Sequence, residues 1–131
     1  MRKTVDFWVN LIDEELHLTD AEQVRRAFYA FAESGKLQFF TEDETGVFAY
    51  VVTDDLRGGK TLAELIFYIL PKYRGDIRLV KKYIQHAEML AKENSCNSIK
   101  IGGNIGFKDA KFLGLLKRWG YVDDTVTKGI V

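Results

Sequence analysis

Proline and cysteine each occur once in this 131-residue chain, histidine twice, and 19 basic side chains are balanced by 19 acidic ones. A lone cysteine closes no internal disulfide, and residues 1–6 lack the apolar core of a secretory signal, so the reducing cytoplasm is the expected location. His17 and His86 are far apart and without clustered acids, and no metal is expected. With no net charge there is no overall field toward phosphate backbones or anionic lipid, which argues against nucleic acid as a partner. The longest apolar stretch, Leu62 to Leu70, is nine residues long and interrupted by Glu64. A bilayer span needs ~20 residues, so no membrane crossing is expected.

What is present is the composition of a folded protein: 47% hydrophobic, 13% aromatic and 29% charged residues. The length suits one domain, 1–131. Val5, Trp8, Val9, Ile12 and Leu16 recur at helical spacing. Thr19 followed by Glu22 has the spacing of a capping box, which predicts a second helix over about 20–34 with Val24, Ala27, Phe28, Phe31 and Ala32 on its inner face. Leu37 to Thr41 and Gly46 to Thr53, rich in aromatic and β-branched residues, read as paired antiparallel strands around the polar connector 42–45. Thr61 to Leu70 reads as a central strand buried on both faces, and Pro71 ends it.

Ile77, Val80, Tyr83, Ile84, Ala87, Leu90 and Ala91 trace a long amphipathic helix ending near Asn94. A short strand over Ser98 to Ile101, a glycine-rich exit, a helix over about 108–118 and a closing strand from Val122 to Val131 complete the order. His86 is read as a solvated residue on the long helix, and Cys96 as a buried or inert thiol. Gly58-Gly59-Lys60-Thr61 ends like a nucleotide-binding P-loop, but Asp54 stands where that motif needs its first glycine and a strand follows where it needs a helix.

Ile69-Leu70-Pro71-Lys72-Tyr73-Arg74-Gly75, the helix after it, the approach through Cys96 to Ser98-Ile99-Lys100-Ile101, and Phe112-Leu113 through Lys117-Arg118-Trp119-Gly120-Tyr121 resemble the Gcn5-related N-acetyltransferase (GNAT) superfamily over residues 20–131. The short beginning is similar to members carried by bacterial viruses. The resemblance implies an α/β fold, a GNAT-like mixed central sheet flanked by helices with a shortened N-terminus. It also implies acetyl-CoA as co-substrate and an amine, on a small molecule or a protein, as acceptor.

On that resemblance the cofactor-binding residues are Ile69 and Leu70 at the strand end, then Lys72, Arg74, Gly75, Asp76, Ile77, Arg78 and Leu79 around the helix start, with Asn104 on the later glycine-rich loop. The physical basis is general: unpaired amides and the helix dipole at a helix start attract phosphate, and an open strand edge pairs with an amide-bearing arm. The loop Arg74-Gly75-Asp76-Ile77-Arg78 keeps one of the family's two spaced glycines, and Asp76 puts a negative charge beside the anion site unless it serves as a helix cap.

Acyl transfer needs a proton acceptor and a proton donor. Glu64, among apolar strand residues, is the candidate acceptor, and the rival reading is a solvent-facing or cross-strand-paired carboxylate. Leu116 stands where the family carries its acidic tyrosine, which leaves Tyr121 or Tyr73 as donor. A catalytically silent GNAT-like binding or virion protein, or an inhibitor of a host protein, is the alternative function. Pairing through a sheet edge, as a homodimer or with another protein, is a third reading.

Overall fold

The computed structural model describes residues 2–102, 110–122 and 128. Helix α1 (Arg2–Leu16) buries Val5, Val9 and Ile12, four and three residues apart. Helix α2 (Ala21–Glu33) buries Phe28 alone, with Val24 and Ala32 half-buried and Ala27 and Phe31 exposed. Its inner face is thus narrower than predicted, because much of its contact with α1 is polar. The Tyr29 hydroxyl donates to Asp6, Arg25 Nε lies 3.2 Å from the same carboxylate, and Arg2 pairs with Glu33. The cap of α2 is Asp20 rather than Thr19. Its carboxylate, one residue closer to the first turn, accepts the Gln23 amide at 3.0 Å.

Strands β1 (Gln38–Phe40), β2 (Gly46–Asp54), β3 (Lys60–Ile69) and β4 (Ser98–Lys100) form one sheet in chain order. The first three are antiparallel neighbours and β4 runs parallel to β3. Asp43 and Glu44 turn the first hairpin with positive φ, a conformation in which Asp is enriched and β-branched residues are rare. Pro71 stops β3 as expected and opens a single 3-10 turn, Pro71–Tyr73.

Alternation along the strands makes two core layers. Phe48, Tyr50, Leu62, Phe67 and Ile69 face helix α3 (Ile77–Glu93) and helix α4 (Ala110–Arg118), where Tyr83, Ile84, Ala87, Phe112 and Leu116 meet them. Val47, Ala49, Ile66 and Tyr68 face α1 and α2. Burying each of the large side chains contributes about 1.5–3 kcal/mol. Helices on both faces explain why β3 reads as a nearly unbroken apolar run. Ile77, assigned to the inner face of α3 from its spacing, is 56% exposed, since it begins the first turn before the helix has closed over the sheet. The predicted closing strand from Val122 to Val131 falls largely outside the described residues.

His86 is not simply solvated. Its Nδ1 lies 2.7 Å from Glu42 Oε1 and its ring is 4.0 Å from that of Phe40. Beside it the buried Tyr83 hydroxyl accepts the Glu42 amide at 3.1 Å and lies 3.0 Å from Thr45 Oγ1, fastening the first hairpin turn to α3. Thr45 in turn accepts the Leu70 amide on its carbonyl at 2.9 Å, so the hairpin also fixes the end of β3.

Candidate active site at the open edge of β3

Parallel pairing between β3 and β4 covers only Thr61 with Ser98, Leu62 with Ile99 and Ala63 with Lys100. Beyond Ala63, β3 continues from Glu64 to Ile69 paired to β2 on one side, and β4 has ended. At Gly102 the chain bends away with φ of +124°, a value glycine adopts readily. Among the described residues the two strands therefore part company, leaving one edge of the far half of β3 open.

The parting coincides with a β-bulge. The register of β2 with β3 jumps from Ala49 opposite Ile66 to Tyr50 opposite Glu64, so Leu65 is the extra residue. Leu65 and Ile66 consequently both turn toward α1 and α2. Glu64, two residues after Leu62, shares the α3 and α4 side with it and is 4% exposed. Burial excludes the solvent-facing reading of Glu64, while the cross-strand position opposite Tyr50 is retained. Burial, with the nearby Glu93 and Cys96, pushes the Tyr50 phenol above its ordinary range.

Tyr121 packs on this same side. Its hydroxyl donates to Glu88 Oε2 at 3.3 Å, and burial foremost, then Glu88, raises its pKa so that it keeps its proton. Leu116, which the resemblance puts where a tyrosine is expected, is 3% exposed and belongs to the core. Tyr73 closes the 3-10 turn, half-buried, with Lys72 Nζ 5.0 Å from its ring centre. Burial raises the Cys96 thiol, in keeping with an inert group.

The helix start is arranged differently from an empty anion cradle. Gly75 takes φ of +92°, with nothing within 4 Å of where a Cβ would stand, so its glycine serves the turn. Asp76 is the N-cap of α3, and its Oδ1 accepts the amides of Arg78 at 3.1 Å and Leu79 at 3.3 Å. The cap reading of Asp76 thus holds, and it places a carboxylate on two of the amides assigned to phosphate. Lys72 and Arg78 are exposed at the rim, while Leu79 packs against the core. Asn104 lies outside the described residues.

Arg74 is turned toward the opposite side of the sheet. Its Nε donates to the Ile69 carbonyl at 2.8 Å, while Nη1 and Nη2 donate to Glu15 Oε2 at 2.5 Å and Oε1 at 2.8 Å. The guanidinium lies 5.0 Å from the Tyr68 ring centre, and the Tyr68 hydroxyl also donates to Glu15. Arg74's hydrogen bonds hold the Glu15 carboxyl below its usual range against the opposing effect of burial. Burial and Glu15 push the Tyr68 phenol up to about 12. Glu15 carries no local sequence signal for this role, since its partner is 59 residues away.

The residues thus fit acetyl-CoA unevenly. The open strand edge suits an amide-bearing arm, whereas carboxylates of the chain itself sit on Arg74 and on the α3 amides.

No protein-family model matches the sequence, and no curated protein does. Solved structures do match. A protein named as a predicted acetyltransferase from Clostridium acetobutylicum, solved with acetyl-CoA, superposes with a TM-score of 0.74 at 14% identity, covering 100% of this chain and 92% of its own. Glucosamine-6-phosphate N-acetyltransferase from Arabidopsis thaliana gives 0.62 at 13%, covering 99% and 91%. A transcriptional regulator from Bacillus halodurans gives 0.69 at 13%, covering 100% and 95%. The chain therefore has the GNAT acetyltransferase fold that its sequence resembles. Those neighbours differ in named function, so the chemistry has to be argued from the site.

Among the described residues no helix is long and apolar enough to cross a membrane, and no group of three or more potential metal ligands occurs.

Proposed function

We propose that the protein is an acetyl-CoA-dependent N-acyltransferase acting on an amine carried by a small molecule or a protein. The observation that carries this reading is the parting of β3 from β4 at Ala63, directly beside a bulge and a buried carboxylate. A strand edge opened in this way offers backbone donors and acceptors to an extended amide-bearing arm, as β-augmentation does.

Lys72 and Arg78 at the rim supply positive charge for phosphates, and Ile69 and Leu70 border the arm. Acetyl-CoA, when bound, supplies an activated acyl carbonyl whose carbon–sulfur bond breaks on transfer. Glu64 accepts the proton that the acceptor nitrogen loses, directly or through one water. Tyr121, on the same side of the sheet as Glu64, is the phenol assigned to protonate the leaving sulfur.

A second reading, a GNAT-like binding protein without catalysis, is favoured by Asp76 on the α3 amides and by Leu116 in the tyrosine position. Calorimetry with acetyl-CoA separates the two. Micromolar binding, weakened by Lys72→Ala and Arg78→Ala and accompanied by thiol release with an amine acceptor, supports the enzyme. Absence of heat at millimolar acetyl-CoA supports the silent module.

A further inference from the structure

We propose that Glu15 is an internal counter-ion that competes with the phosphate of a bound ligand for Arg74, so that helix α1 latches the anion site until phosphate displaces its carboxylate. This inference rests on the assignment of Arg74 to the phosphate end of the acyl donor.

A guanidinium presents its donors in a fixed planar fork, and its strength toward phosphate lies in offering two parallel N–H groups at once. Here the Nη1–Nη2 face is filled by both oxygens of Glu15, at 2.5 and 2.8 Å, and the Nε side is committed to the Ile69 carbonyl at 2.8 Å. No two-pronged face is left for a phosphate while Glu15 stays. A carboxylate, like a phosphate, is anionic and presents two oxygens that can bridge both nitrogens, so the exchange replaces one two-pronged acceptor with another.

The position of the pair makes exchange feasible. Each side chain is 29% exposed, so water and ligand reach it without unfolding. Glu15 is the penultimate residue of α1, so losing its hold on Arg74 loosens only the last turn of the helix. Tyr68 donates to the same carboxylate and remains as its partner once Arg74 leaves. The guanidinium lies on the α1 and α2 side of the sheet, over Tyr68, whereas α3 packs on the other side. Arg74 precedes the α3 cap by two residues, so a change of side-chain rotamer carries its charge toward the helix start. The contact therefore links anion binding to the seating of α1.

Three consequences are measurable. Glu15→Gln keeps the shape but removes the charge, and since charge-assisted hydrogen bonds are about twice as strong as neutral ones, its grip on Arg74 weakens. Inorganic pyrophosphate, titrated calorimetrically, is expected to bind Glu15→Gln about tenfold more tightly than the unaltered chain. Adding Arg74→Ala to that variant is expected to erase the gain, which identifies Arg74 as the contested group. In the unaltered chain, saturating pyrophosphate is expected to speed amide hydrogen exchange in the last turn of α1.

Equal or weaker pyrophosphate binding by Glu15→Gln, or no binding by either protein, overturns the proposal. So does a gain that survives Arg74→Ala. Should Glu15→Gln not fold, Glu15→Asp, whose shorter side chain loosens the pair, is expected to shift affinity in the same direction. If pyrophosphate binding tightens as stated while acetyl-CoA binds neither protein, the latch stands and the acyl-donor reading falls.

Discussion

Gly46 opens β2 opposite Ile69, at the end of β3 that borders the site. A Cβ at Gly46 would stand 2.2 Å from the Tyr68 carbonyl oxygen and 2.9 Å from the Ile69 Cα. Both are backbone atoms of residues only 1% and 0% exposed, so no flexible side chain can yield. Overpacking a core costs about 1–3 kcal/mol, and a clash between backbones belongs at the upper end, about 3 kcal/mol for Gly46→Ala.

Gly75→Ala is the control. Its φ of +92° opposes any side chain, but the space around it is open, so only the conformational cost of about 1–2 kcal/mol applies. Urea unfolding followed by the fluorescence of Trp8 and Trp119 reads both. With a slope of about 2 kcal/mol per molar, Gly46→Ala is expected to lower the midpoint by about 1.5 M and Gly75→Ala by about half as much. A Gly46→Ala midpoint within about 0.3 M of the unaltered chain, or higher than that of Gly75→Ala, refutes the close approach of β2 to β3 at this point.

Other consequences are equally direct. Tyr83→Phe removes a buried hydroxyl that joins Thr45 and the Glu42 amide, and is expected to cost about 1–2 kcal/mol in chemical denaturation. Because Arg74 depresses the Glu15 pKa below 4.5, the pair's contribution is complete above that pH and is lost as pH falls through the lower folded-state value. The stability gap between the unaltered chain and Glu15→Gln should therefore narrow on acidification below pH 4.5, and a gap that widens contradicts the pairing. Glu64→Gln is expected to lower turnover by about 10²–10⁴-fold while acetyl-CoA affinity, measured by calorimetry, is retained.

Much of the architecture was legible because local signals and tertiary packing agree. The Val80, Tyr83, Ile84, Ala87 and Ala91 stripe marks α3, and its Asp76 cap and Asn94 end lie where the pattern changes. Pro71 marks the end of β3. The bulge was hidden because Leu65 to Leu70, from the extra residue onward, is apolar on both faces, so a slip in the period of two leaves no trace in composition. Thr19 masked Asp20 as cap because adjacent residues both suit that role.

The site was less legible. Its position at the end of β3 followed from the resemblance, but the partner of Arg74 did not, since nothing near Glu15 in the chain signals a contact made 59 residues away. His86 was misjudged for the same reason: its helical position is polar-sided, and only the hairpin turn brings Glu42 and Phe40 to it.

The most direct test of the account is a crystal structure of the chain grown with acetyl-CoA. Density for the pantetheine arm along Glu64 to Ile69, with its phosphates at the start of α3 near Lys72 and Arg78, is the result expected. Strands β3 and β4 drawn together beyond Ala63, with no coenzyme between them at saturating concentration, would contradict it.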